Sequence, residues 1–364
     1  MNQETILIPT LSTYVEDQWE MTKGITAPKF SAVYDALPNQ EFKALILLGK
    51  YEIKGGKINL KINCSLENSN TGKVLPNATE KVLLGDLEEK IGFILFPELL
   101  PFKFTEEDEE GVYNLILSVD DTNSDEEKII VTQELTFRKS LPNLLQKPTL
   151  ELEEWRQKYY LDPKPTELIS YYCKGLEENN TLNNDASILF YVEALNNSLF
   201  LVDEIISLIK ADKFSRLQRN GLIILFARSK YEKVDSLGFS EEELKILYEF
   251  RDEFYNPLEK EIDHPSDLDM LWSLFFANGK YENLEKIIST LYFKKDISEE
   301  DAKNLPEAAL IKYAVGRAAA WSLETIGRFH PMVQVYIIYT LNQPNISAYI
   351  QGELEAVLSN IQEE

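Results

Sequence analysis

The sequence predicts an α+β protein of two domains, antiparallel strands over residues 1–140 and helices over residues 149–364. Three observations carry that expectation. Apolar residues recur every second position in the first part and every three to four positions in the second. A stretch with two prolines and local basic residues, 137–148 (FRKSLPNLLQKP), separates the two regimes. A chain of 364 residues, 44% hydrophobic and 27% charged, has a globular composition and enough apolar material for two cores.

In the first region, residues 42–51 (FKALILLGKY) form a short apolar run that ends in polar residues. Residues 57–66 (KINLKINCSL) alternate, with Ile58, Leu60, Ile62 and Cys64 on one face and Asn59, Lys61 and Asn63 on the other. Strict alternation marks a strand with one buried and one wet face. Gly55-Gly56 between these runs is a hairpin signal, so the two are expected to pair. Residues 68–77 (NSNTGKVLPN) are turn-rich, and 91–96 (IGFILF) and 101–104 are further apolar pieces. Two more strands follow at 112–119 and 129–137, joined by the acidic loop 120–128. That loop begins with Asp121-x-Asn123-x-Asp125, the start of a calcium loop, but Glu126 replaces its glycine and Thr132 its bidentate glutamate. It therefore reads as a solvated hairpin loop.

The lead-in Glu109-Glu110-Gly111-Val112-Tyr113 resembles the Asp-x-Gly-x-Tyr approach to strand F of immunoglobulin-like sandwiches. The first acid here is Glu109, and no cysteine follows Tyr113 at the family's spacing. The resemblance implies a Greek-key β-sandwich whose tyrosine hydroxyl bonds back to the chain at a sheet corner. It implies nothing about function.

The second region reads as consecutive helices. A first is expected over 149–160, capped by Thr149, with Leu150, Trp155 and Tyr159 on its apolar side. Others follow over 165–177, 185–195, 198–210 and 214–231. Ser240 and Glu243 make a capping box for a helix through residue 255, stopped by Pro257. Ser266 or Asp267 caps the next helix, which carries Leu268, Leu271, Trp272, Phe275 and Phe276. Asn278-Gly279 breaks it, and a second helix from Tyr281 carries Leu284, Ile287, Ile288 and Leu291. This hairpin, 268–291, resembles one tetratricopeptide repeat, with Leu284 where that family has a small residue. The resemblance implies a solenoid-like stack of helical hairpins with a concave surface for a peptide or protein. A short capped turn at Ser298 precedes a long helix over 306–328. Its small-sided centre, 314–321, is interrupted by Arg317 and Trp321 and predicts close helix packing. Helices over 331–341 and 347–361 complete the chain.

Charge and residue inventory narrow the function. Sixty-one acidic against 37 basic residues leave a net charge of −24, so bare nucleic acid and anionic membrane surfaces are not expected partners. No apolar run approaches the roughly 18 residues of a spanning helix, and residues 1–20 lack the basic start of a signal peptide. Cys64 and Cys173 form no disulfide framework, which points to the cytoplasm. Richness in Asn, Lys, Ile and Glu points to an AT-rich, bacterial genome. His264 and His330 each precede a proline in an interhelix turn and read as cap or turn residues. HExxH, CxxC, GxSxG, Walker and GxGxxG patterns are absent, and the carboxylates are too many for the sequence to select a catalytic pair. No catalytic residue, cofactor or metal site is assigned. The one basic stretch, Arg216, Arg219, Arg228 and Lys230, is the candidate partner-binding set, because clustered arginines suit carboxylates or phosphates. The expected function is binding of a protein or peptide by a non-catalytic scaffold. The alternative is a hydrolase whose site is built from dispersed carboxylates and aromatics.

Overall fold

The computed structural model describes residues 4–10, 35–36, 41–49, 57–75, 79–86, 96–121, 128–160, 163–179, 185–252 and 256–362. The protein is α+β. Strands fill the first compact unit, which runs to Pro142, and helices fill the second, from Asn143.

The first unit has a three-stranded sheet of β1 (Glu4–Thr10), β3 (Glu41–Gly49) and β6 (Phe96–Lys103), in the order β1-β3-β6. A five-stranded sheet contains β2 (Asp35–Ala36), β4 (Lys57–Asn68), β5 (Thr79–Asp86), β7 (Gly111–Asp121) and β8 (Ile129–Phe137), in the order β2-β8-β7-β4-β5. Among the described residues only β2 pairs in parallel, with β8. In β4 the expected alternation appears directly: Ile62, Cys64 and Leu66 are buried, while Lys61, Asn63 and Ser65 are half-buried. Tyr113, Leu115, Leu117 and Val119 of β7 continue that face. Phe104 stacks on Phe137 at 4.3 Å and meets Tyr113 edge-on at 4.9 Å, which closes one end of this core. The Tyr113 hydroxyl donates to the Glu109 carbonyl at 2.7 Å, the bond expected at this corner.

One pairing differs from expectation. β3 and β4 do not form a hairpin: β3 lies between β1 and β6, and β4 lies between β5 and β7, in the other sheet. Both edges of each strand are already bonded, so neither can accept the other, and a local Gly-Gly signal cannot override that. The Gly55-Gly56 turn itself lies outside the described residues, as does most of the Asp121–Asp125 calcium-like pattern. β7 and β8 do pair as an antiparallel hairpin across it.

The second unit carries α1 (Leu152–Lys158), α2 (Leu168–Asn179), α3 (Asp185–Asn196), α4 (Val202–Lys210), α5 (Arg216–Arg228) and α6 (Glu241–Asp252). It continues with α7 (Pro265–Asn278), α8 (Tyr281–Ser289), α9 (Glu299–Ala302), α10 (Glu307–Gly327), α11 (Pro331–Leu341) and α12 (Ala348–Gln362). The caps explain the boundaries. Ser240 and Glu243 exchange the two bonds of a capping box at α6. α7 starts earlier than expected. His264, not Ser266 or Asp267, is the cap: its Nδ1 accepts from the Ser266 amide at 3.2 Å, and Pro265 takes the first turn. Asp267 instead reaches back to the Asp263 and His264 amides. α1 starts at Leu152 rather than Thr149, and Leu150 is exposed.

Gly279, at φ 66°, ends α7 in the left-handed conformation that glycine adopts without strain, and α8 follows two residues later. α7 packs chiefly on α3, to which it is not adjacent in sequence. The small side chains of α10 seat it on the 290–294 turn. A Cβ at Gly316 would stand 3.0 Å from the Lys294 amide nitrogen and 3.1 Å from the Thr290 carbonyl.

Candidate functional site

The four basic residues singled out by sequence do not form a shared surface. Arg219 is held from three sides: its guanidinium pairs with Glu243, donates to the carbonyls of Ile209 (3.3 Å) and Gly238 (3.1 Å), and lies 5.4 Å over the Phe239 ring. The pair holds the Glu243 carboxyl below the usual carboxylate range, chiefly through the Arg219 hydrogen bond. Arg228 bonds Asp185 at 2.8 Å and ties α5 to the start of α3. Arg216 and Lys230 are exposed beyond opposite ends of that buried stretch. Two of the four residues are thus internal struts.

The aromatic and titratable side chains that meet in a concavity belong to α1, α3, α7, the C-terminal half of α10 and the turn that follows it. A cleft of about 460 Å³ is lined there by Glu153, Arg156, Ser187, Asp269, Trp272, Ser273, Trp321 and Phe329, among others. A second hollow of about 400 Å³ continues it past Gln157, Phe329 and His330, toward Trp155, Lys158 and Lys164. Trp321 is 68% exposed and Phe329 76% exposed, the most exposed large hydrophobic side chains among the described residues. Trp321 and Thr325 share one side of the α10 axis at a spacing of four, and Phe329, in the turn after the helix, lines the same cleft.

The floor of the cleft is built from α1 and α7. Arg156 donates to Ser187 Oγ at 3.2 Å and Ser273 Oγ at 3.4 Å, lies 5.2 Å over the Phe190 ring and faces Glu153 at 3.5 Å. Its Nε–H is buried with no partner, and so is the indole N–H of Trp272. Buried donors in that condition are costly, and both are sealed from solvent, so they belong to the packing beneath the cleft. At the end of the cleft the His330 imidazole meets the Tyr160 hydroxyl at 3.3 Å and the Phe276 ring at 5.2 Å. Burial depresses His330 to about 4, so it is neutral at ordinary pH. Asp269 is exposed at the rim, yet crowding by its neighbours pushes its carboxyl up, with a smaller opposing effect from His264. No ion pair is made by Asp269 among the described residues.

The remaining candidate nucleophiles lie elsewhere. Burial pushes the thiols of Cys64 and Cys173 up to about 12, which makes both inert core residues. His264 is spent on its cap and lies at the far end of α7 from His330. Among the described residues no group of three or more His, Cys, Asp or Glu is arranged to hold a metal ion, and no helix is long and apolar enough to cross a membrane.

Sequence reasoning missed this cleft for a physical reason. Trp272 and Phe276 read correctly as core, and both are almost fully buried. Trp321 and Phe329 look no different in sequence, and only packing reveals that nothing covers them. The one available signal was Trp321 itself, a bulky residue closing an otherwise small-sided run.

Comparison with known proteins adds little. No family model matches the chain, and no curated protein matches it. Among solved structures, a family 123 glycoside hydrolase from Clostridium perfringens aligns at 11% identity with a TM-score of 0.23, over 50% of this chain and 36% of that one. The E. coli alpha-2-macroglobulin aligns at 8% identity with a TM-score of 0.21, over 92% of this chain and 22% of its own length. The chain thus spans about a third or less of these two proteins, and similarity at this level carries no argument about fold or function.

Proposed function

We propose that the protein is a cytoplasmic, non-catalytic binding or scaffold protein that grips a protein or peptide segment in the cleft of its helical unit. The observation that carries the reading is the pair of solvent-exposed aromatics, Trp321 and Phe329, lining an open cleft. Aromatic anchors concentrate binding energy at protein interfaces. An extended segment lying in the cleft would cover both rings. In the same reading the two sheets of the strand unit face each other as an immunoglobulin-like sandwich, consistent with the close approach of β1 to β8 and the Tyr113 corner. The helical unit is a tetratricopeptide-like, solenoid-like stack whose clearest member is the α7–α8 hairpin. Nucleic acid and membrane are not partners in this reading, given the net charge of −24.

A hydrolase is the second reading, favoured by one observation: Asp269, whose carboxyl is pushed up, shares the cleft with Glu153 and the aromatics. Against it, Asp269 is exposed rather than enclosed, and Glu153 is engaged by Arg156 and by Gln157 at 3.1 Å.

Selection from a displayed random-peptide library on the full chain tests the first reading. Enriched peptides should bind the wild type and lose at least tenfold in affinity to Trp321→Ala. Absence of any enriched family, or enrichment that Trp321→Ala leaves intact, overturns it. Turnover of chromogenic glycosides or peptides that Asp269→Asn abolishes would establish the second.

A further inference from the structure

We infer that the cleft is a receptor for a basic side chain, lysine or arginine, presented by a partner peptide, with Asp269 as its counter-ion and Trp321 and Phe329 as its aromatic walls. The inference rests on the peptide-binding reading above and specifies what the peptide must carry.

Three independent features converge on a cation. First, Asp269 is the carboxylate of the cleft without an ion-pair partner among the described residues. Glu153, by contrast, already faces Arg156 at 3.5 Å. Second, the exposed rings of Trp321 and Phe329 present π-faces, which attract an ammonium or guanidinium and pack against its aliphatic stem. Third, the chain carries a net charge of −24, so its long-range field steers cationic partners inward and repels acidic ones. An anionic ligand on Arg156 is the competing occupant. It is disfavoured because two hydroxyls, an aromatic ring and Glu153 already surround that guanidinium, and because Asp269 and Glu153 line the same space.

The test uses four pools of N-acetylated, C-amidated heptapeptides with randomised flanks and a fixed centre of lysine, arginine, norleucine or glutamate. Binding to the full chain is read by calorimetry and by tryptophan fluorescence. The lysine and arginine pools should bind at least tenfold tighter than norleucine, and that preference should shrink as salt rises. Asp269→Asn should erase the preference while leaving norleucine binding in place, and Trp321→Ala should weaken all pools. Both residues are exposed, so neither substitution threatens folding. Equal binding of norleucine and lysine overturns the cation inference and leaves the peptide reading standing. Tighter binding of the glutamate pool overturns it in favour of an anion on Arg156. Binding of no pool overturns both, and self-association of the chain that Trp321→Ala abolishes replaces both with a second copy as occupant.

Discussion

Helix α5 and the C-terminal half of α10, with the turn that follows it, make opposite use of side chains that stand out in the sequence. The arginines of α5 look available and are consumed: Arg219 is saturated by Glu243 and two backbone carbonyls, and Arg228 is tied to Asp185. Trp321 and Phe329 look like core and are left in water. The difference teaches that residue type is a poor guide to availability. What matters is whether each polar or apolar group has found its partner inside the fold. A cluster of charges in a helical protein is usually scaffolding, whereas a bulky ring with nothing over it requires an explanation from outside the molecule.

That contrast can be broken at several points. The strongest effect is expected at His330, the buried end of the cleft. Its pKa is depressed from 6.5 to about 4, so the folded state requires the neutral ring. Its contribution is complete above pH 6.5 and is lost as pH falls through the window toward 4, because the unfolded chain takes up the proton first. Denaturant unfolding at pH 7.5 and 4.5 should show His330→Gln losing about 2–3 kcal/mol less between the two pH values than the wild type does. An identical pH dependence in both proteins would mean the ring is not buried as described.

Next comes Arg219→Ala, which strands the half-buried Glu243 and two carbonyls. A loss of about 2 kcal/mol in unfolding free energy is expected, with no change in peptide binding. If binding falls while stability holds, α5 is a recognition surface after all and the comparison reverses. A smaller effect distinguishes the packed face of α10 from an open helix. Gly316→Ala should cost about 1 kcal/mol, because the new methyl meets backbone of the 290–294 turn, while Gly352→Ala, with nothing within 4 Å, should gain about 0.5–1 kcal/mol from helix propensity alone. Thermal melts of the two variants should move in opposite directions. The smallest stability change belongs to Trp321→Ala, within about 0.5 kcal/mol, since the ring is already solvated. A large destabilisation there would show that Trp321 is structural.

Much of the local structure was legible because it depends on near neighbours in the chain. The alternation of β4, the capping box at Ser240, the break at Gly279 and the backbone bond of Tyr113 all follow from residues a few positions apart. The Gly-Gly signal was equally local, and it failed because the pairing is not: β3 and β4 lie in different sheets, β3 bonded to β1 and β6 and β4 to β5 and β7. β1 and β5 carried no motif to announce them. The cleft was illegible for a further reason. It is made from α1, α3, α7 and α10, and nothing in the sequence states that Arg156 meets Ser187 and Ser273 or that no helix covers Trp321.

The turn between α7 and α8 has a consequence for how the helical unit assembles. Asn278 donates to Glu193 on α3 at 2.9 Å and accepts from the Lys280 amide and the Asn283 side chain, while the Tyr336 hydroxyl on α11 donates to the Gly279 carbonyl at 2.7 Å. A hairpin that closed on its own would satisfy its turn from within. This one borrows bonds from chain made much earlier and much later. Its loops must therefore be closed across long stretches of sequence before those bonds are gained, which slows folding and couples the ends of the unit. Removing the last helices would act well beyond the segment removed. It would leave a buried carbonyl without its donor in the middle of the structure, and the whole helical unit should melt as one cooperative block.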